Sequence, residues 1–213
     1  MALRKTLLVT GEVYHILNHS VQGMPIFKGK REANLFLEAI KFYLQENPPT
    51  KFSLYRTNKD RFPLNLEEKL VTIINFCLMP NHFHFTLRQE KEDGIRRFIQ
   101  KLSNSFAHYF NMKYKNRGPV FEGNFKAVHI ETDEQLLHLS RYIHLNPVTA
   151  YLVEKPEDYP YSSYRVYIGK EKSEIVDPSL ILKQISPKEY QNFVMARKDY
   201  QRSLERIKNL LAE

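Results

Sequence analysis

The chain has 213 residues, 42% hydrophobic and 26% charged, with a formal net charge of +8. That length and apolar content suit one sizeable core with an appendage and exclude a disordered chain, while the basic excess suits a polyanionic partner such as nucleic acid. The single cysteine, Cys77, excludes a disulfide framework, and no apolar run has the length of a secretory signal or a membrane span, so a cytoplasmic protein is the expectation.

In chain order, "GEVYHILNHSV" reads as a strand with Val13, His15 and Leu17 on one face and Tyr14, Ile16 and Asn18 on the other. "KREANLFLEAIKFYLQEN" has a helical apolar face, stopped by Pro48-Pro49, and "RTNKDRFPLNLEEK" reads as a polar loop. "LVTIINFCLM" and "HFHFTLRQ" read as two strands joined by a Pro80-Asn81 turn. A long helix follows, capped by Asp93, with Ile95, Phe98, Ile99, Leu102, Phe106, Tyr109 and Phe110 as its buried stripe. "PVFEGNFKAVHI" is a further strand candidate. "TDEQLLHLSRYIHLNP" is a helix capped by Thr132 or Asp133 and ended by Pro147. After the aromatic, turn-rich "EDYPYSSYRVY", a charged helical stretch begins near Ser186, with Tyr190, Phe193, Val194, Leu204, Ile207, Leu210 and Leu211 as its apolar edge. The first six elements match an α+β, ferredoxin-like β-α-β-β-α-β arrangement: an antiparallel sheet with helices on one face and the other face open for a site.

Alternation along "HFHFTLRQ" sends Phe83, Phe85 and Leu87 to the core and puts His82, His84, Thr86 and Arg88 together on the opposite face. Two neutral imidazoles on one face can share a divalent metal, but two ligands do not make a site, and a polar outer face accounts for them equally well. On the late helix, Gln135, His138, Tyr142 and Asn146 form one polar stripe beside the apolar stripe of Leu136, Leu139 and Ile143. A helix lying along the sheet could bring Tyr142, a phenolic nucleophile, and Asn146, an amide oxygen donor, to the histidines. Against that, the chain has 13 tyrosines, most of which must be packing residues, and an asparagine before proline commonly caps a helix. Between Gly94 and Gly118 there is no acidic residue, whereas Arg96, Arg97, Lys101, Lys113, Lys115 and Arg117 could track phosphates or form a solvated face.

Taken together, "MPNHFHF" and "YIHLNPV" resemble the REP-associated tyrosine transposases, members of the HUH class of single-strand DNA transposases and nucleases. The resemblance runs from about Val13 to Tyr167 and includes "YHILNHSVQGMPIF", "RGPVFEGNFKAVHI" and "RYIHLNPVTAYLVEKPEDYPYSSY". It implies a catalytic domain over 1–167; the remainder, 168–213, lies outside the resemblance and is expected to be a C-terminal helical extension. It also implies that His82 and His84 are metal ligands completed by Asn146, that the metal is Mg²⁺ or Mn²⁺, and that Tyr142 is the nucleophile. The implied reaction cleaves and rejoins single-stranded DNA, hairpin or palindromic, through a 5′-phosphotyrosine; a homodimer is compatible with it, and no membrane partner is implied.

The chain departs from that family in places. Asn18-His19 stands where many members carry Asn-Arg, Phe121 and Asn124 where Trp and Arg are frequent, and Tyr161 where Trp is frequent. Three other readings stay open: a DNA-binding regulator that has lost cleavage, an HUH nuclease of the replication-initiator or relaxase type, and an unrelated metal hydrolase that activates water and has no use for Tyr142.

Overall fold

β1 (Val13–His19) alternates half-buried with buried side chains, and Tyr14, Ile16 and Asn18 take the buried side. It pairs antiparallel with β3 (His82–Gln89) on one flank and β4 (Lys126–Ile130) on the other, while β3 pairs antiparallel with β2 (Val71–Met79). The sheet order is β2-β3-β1-β4. β3, chemically the hairpin partner of β2, is thus inserted between β1 and β2, which is the split β-α-β connection the element order implies. The structure is a computed structural model and describes residues 6–203; Leu204, Ile207, Leu210 and Leu211 lie outside the described residues.

The two faces of the sheet differ in kind. Helices α1 (Lys30–Tyr43) and α3 (Gly94–Tyr114) cover the face that carries Phe83, Phe85 and Leu87. Phe36 of α1 packs on Phe83 and edge-on to Phe106 of α3, and Phe98 of α3 packs edge-on to Phe85. Each such buried ring contributes roughly 1.5–3 kcal/mol of transfer free energy, so this aromatic layer fixes the sheet against the helices. Helix α4 (Asp133–Thr149) lies against the other face, where Ile143 packs on Cys77 and Met79 of β2.

The stretch after α4 covers the β2 edge of the sheet, which would otherwise expose a row of backbone donors and acceptors. The Leu78 amide donates to the Tyr161 carbonyl, and the Ser163 and Asp177 amides donate to the Phe76 and Ile73 carbonyls. Tyr159 and Tyr167 hydroxyls donate to the Leu78 and Ile74 carbonyls. These tyrosines tie their segment to the sheet. The chain continues through short helices α5 (Tyr164–Tyr167) and α6 (Ser179–Leu182) to α7 (Pro187–Met195), and Val176, Ile181, Tyr190 and Val194 join the same core as the sheet. Among the described residues no helix is long and apolar enough to cross a membrane.

Several local expectations are corrected. Asp93 occupies the cap position of α3 in a left-handed conformation without a capping bond, and its carboxylate instead accepts from Arg96 at 2.7 Å. The candidate strand 119–130 is a strand only over Lys126–Ile130, and residues 52–57 form a short helix, α2 (Phe52–Thr57). Helix α1 stops at Tyr43, short of Pro48, because the Leu44 carbonyl accepts from the Leu70 amide and Gln45 bridges to Lys69. Pro147 does not end α4 but sits within its last turn, where its fixed φ is helical. The helix ends two residues later, at Thr149: Leu152 N donates to Pro147 O and Tyr151 N to Val148 O, with Tyr151 at φ 56°. That is a Schellman ending with a tyrosine in the position glycine usually takes.

Candidate active site

The cross-strand register of β1 against β3 sets His19 opposite His82 and Leu17 opposite His84. Because facing residues share a sheet face, His15, His19, His82 and His84 all lie on the face opposite the aromatic core. The imidazoles touch in sequence around the group: His19 and His82 have ring centroids 4.8 Å apart, His82 and His84 4.9 Å, and His15 stacks on His84 at 5.2 Å.

Two hydrogen bonds bear on the tautomers. His82 Nδ1 lies 2.7 Å from Asn81 Oδ1, an oxygen that only accepts, so Nδ1 carries a proton and in the neutral ring Nε2 carries the lone pair. His84 Nδ1 lies 3.0 Å from His15 Nε2. With the proton on His84 Nδ1, donated to His15, His84 Nε2 likewise carries a lone pair. Burial, then the positive charge that His82, His15 and His19 can carry, holds His84 well below the usual histidine range. Burial alone pushes His15 down to about 4. Both rings are therefore neutral near pH 7, the form in which imidazole is a ligand.

Helix α4 delivers the other half. Thr132 caps it, its hydroxyl accepting from the Gln135 amide at 3.1 Å, and Ile143 and Leu136 anchor its apolar side. That docking turns Tyr142 onto His84 of the same chain, edge to face, with centroids 5.8 Å apart. Tyr142 remains 42% exposed, open to a polymeric substrate, whereas His84 beneath it is buried. Asn146 follows one helical turn later on the same stripe, and its buried Nδ2 has no hydrogen-bond partner among the described residues. An amide presents oxygen or nitrogen at that spot by rotation about its last bond, so this unsatisfied position fits an oxygen ligand to a cation. Among the described residues no cluster of three or more His, Cys, Asp or Glu side chains is placed to hold a metal, so a cation site here would rest on the imidazole pair with the amide.

The remaining members of the polar stripe go elsewhere. His138 sits against Phe193 of α7 with its Nδ1 at 2.6 Å from Arg141, and Gln135 accepts from the Glu131 amide. The six basic residues lie on or just after α3, in the layer across the sheet from the histidines. Arg96 pairs with Asp93, Arg97 with Glu46 at 2.9 Å and Lys113 with the buried Glu32, and Lys101 reaches the Glu46 carbonyl at 3.5 Å. Lys115 and Arg117 are exposed and have no ion pair among the described residues.

Sequence reading missed the groups that support the site. His15 was visible as a face residue of β1, but only the strand register puts it under His84. His144, fully buried behind Tyr142, has Nδ1 at 2.7 Å from the Tyr190 hydroxyl and Nε2 at 2.8 Å from Ser163 Oγ, and the Tyr190 hydroxyl also donates to Ser140 at 2.9 Å. Periodicity gives no signal for partners that come from α7 and from the segment before α5.

Residues 57–146 match the family model described as transposase, IS200-like, a span that contains both histidines, Tyr142 and Asn146. A Haemophilus influenzae protein assigned as a REP-associated tyrosine transposase is 27% identical over 135 residues, covering 58% of this chain and 72% of that protein. The chain is similar to the IS200-like transposases over 57–146 and to a REP-associated tyrosine transposase over 135 residues. A solved structure of a REP-associated tyrosine transposase bound to a REP hairpin is similar with a TM-score of 0.57 at 14% identity, covering 83% of this chain and 94% of that one. At that identity the likeness establishes a shared fold, and the resemblance read from the sequence to the REP-associated family is borne out.

Proposed function

We propose that the protein cleaves and rejoins single-stranded DNA, with Tyr142 as nucleophile and a divalent cation held by His82, His84 and Asn146. The observation that carries this reading is the approach of Tyr142, on one element, to His84, on another, within one chain and with the phenol open to solvent. A water-activating hydrolase would have no use for an exposed tyrosine in that position.

Tyr142 Oη attacks the scissile phosphorus, the bond to the 3′ oxygen breaks, and the products are a 5′-phosphotyrosine and a free 3′-hydroxyl. The ester retains the bond energy for rejoining, which hydrolysis would dissipate. A bound Mg²⁺ or Mn²⁺ would offset the charge gathered on the phosphate oxygens in the transition state. Asn81 and His15 hold the two imidazoles with their lone pairs set for ligation, as outer partners of metal-bound histidines commonly do. The substrate strand would lie on the part of the sheet face that α4 leaves open, where Lys126 and Val128 of β4 are exposed. Of the six basic residues, Lys115 and Arg117 are the best placed to meet phosphates, since Arg96, Arg97, Lys101 and Lys113 already serve acceptors within the chain. The related structure bound to a REP hairpin supports a hairpin as the form of the DNA partner.

The test is to incubate the protein with end-labelled single-stranded hairpin DNA and Mn²⁺ and to resolve the products on a denaturing gel. A covalent protein–DNA adduct is expected, and Tyr142→Phe should form none. Cleavage without an adduct would instead identify a water-using hydrolase, and binding without cleavage a regulator. Mixing Tyr142→Phe with His84→Ala protein distinguishes how the tyrosine works: the mixture stays inactive if Tyr142 serves its own chain, as its position beside His84 supports, and regains the adduct if it serves a partner's.

A further inference from the structure

On the helical side of the sheet, at the end where His82 stands, a cavity of about 580 Å³ opens between α3 and the segment 119–125. Its size falls within the range of small-ligand sites. Asn18 of β1, only 5% exposed, contributes to its lining. On the wall, Ser103 Oγ is buried and has no hydrogen-bond partner among the described residues. A buried polar group without a partner costs on the order of 1–3 kcal/mol, so this hydroxyl marks a place that a group with donors and acceptors would stabilise.

The rest of the lining narrows what that is. Gln100 and Asn104 rise from α3 and Asn124 from the facing segment, adding three more amides, while Phe121 supplies an apolar wall. The cavity's one cation, Arg96, is already paired with Asp93, so the site is not built for an anion. Amides that both donate and accept, next to an aromatic wall, match the edge and face of a nucleobase. Asn18 directly precedes His19, whose carbonyl accepts from the Glu122 amide at 2.8 Å, so the cavity and the imidazole group sit back to back at one end of the sheet.

We propose that this cavity takes one unpaired nucleotide of the bound DNA, its base read by the amides of Asn18, Gln100 and Asn104, and so helps set which sequence the protein recognises. The proposal rests on the single-strand DNA reading above.

The experiment uses the full chain without metal, so that binding is read apart from chemistry. A single-stranded hairpin oligonucleotide is scanned with 5-iodouracil at each flanking position, photocrosslinked and mapped by peptide mass spectrometry. One position is expected to crosslink to peptides from 99–107 or 119–125. The Gln100→Ala/Asn104→Ala double variant, both residues being exposed, should bind about tenfold or more weakly and lose base preference at that position, given the usual worth of an amide–base pair. Asn18→Leu should do the same, with the double variant deciding if it fails to fold. Crosslinks confined to peptides from 82–88 or 142–146, or affinity of the double variant within twofold of the parent, overturn the proposal. A Tyr142 adduct without a cavity crosslink overturns only the cavity; a cavity crosslink without an adduct overturns only the chemistry. No binding of the oligonucleotide overturns both.

Discussion

At the scale of single residues, the histidine pair depends on neighbours that ligate nothing. Asn81 sets the His82 proton with one hydrogen bond, and His15 engages the inner nitrogen of His84. Removing such an outer partner typically lowers metal affinity 10- to 100-fold. His15→Ala is accordingly expected to weaken Mn²⁺ binding by about that factor, measured by calorimetry without DNA and compared with the urea midpoint of the same protein. Affinity equal to the parent's would remove His15 from the site. Gly94 makes a different point. It lies in the first turn of α3, and helix propensity alone favours alanine there by roughly 0.5–1 kcal/mol. Yet a Cβ at Gly94 would stand 2.2 Å from the Leu70 carbonyl oxygen, a backbone atom that also accepts from the Glu90 amide. Gly94→Ala is therefore expected to destabilise the fold by about 1–3 kcal/mol in urea unfolding, the cost of overpacking a site that cannot yield.

At the scale of elements, the docking of α4 decides where Tyr142 points. The helix is held on its far side by α7, through Tyr190 to His144 and Ser140, and the Gln201 side chain donates to the Tyr142 carbonyl at 3.3 Å. Arg202 Nε donates to the Val148 carbonyl at 3.0 Å, so the extension clasps the last turns of the helix. Tyr190→Phe keeps the ring and leaves His144 and Ser140 short of a partner in a fully buried position. Unfolding free energy is expected to fall by about 1–3 kcal/mol. If adduct formation falls more than folded fraction does, the extension positions the nucleophile; equal loss would leave it a purely structural brace.

At the scale of the whole molecule, buried neutral histidines link stability to pH. Burial pushes His144 down to about 3 and His15 to about 4, and holds His84 well below its ordinary range. In each case the unfolded chain takes up a proton near pH 6.5 while the folded chain refuses it. The stabilisation is therefore present above pH 6.5 and is lost as pH falls from there toward the folded values. For His144 alone the loss by pH 5 is about 2 kcal/mol. The melting temperature should drop between pH 7 and pH 5, and His144→Gln, though less stable overall, should show a shallower drop. An unchanged slope in that variant would mean that His144 already charges without cost in the folded state.

Strand and helix identity was legible because it rests on local periodicity. The alternation in "HFHFTLRQ" placed His82 and His84 on one face and Phe83 and Phe85 on the other, and the structure has β3 over those residues, His82–Gln89. The element order likewise specified the split sheet. Boundaries set by distant contacts were not legible: the early end of α1 is made by Leu70, the covered edge of β2 by residues 161–177, and the continuation of α4 past Pro147 by a Schellman ending that tyrosine rather than glycine completes. The candidate site divides the same way. Sequence spacing alone specified that Tyr142 and Asn146 share a helical stripe and that two histidines share a strand face. Only the tertiary structure joined Tyr142 to His84, brought His15 and His19 into the same group of rings, and closed a cavity around Asn18. The physical reason is that spacing within an element follows from backbone geometry, whereas register between strands and the seating of a helix on a sheet follow from packing contributed by the whole chain.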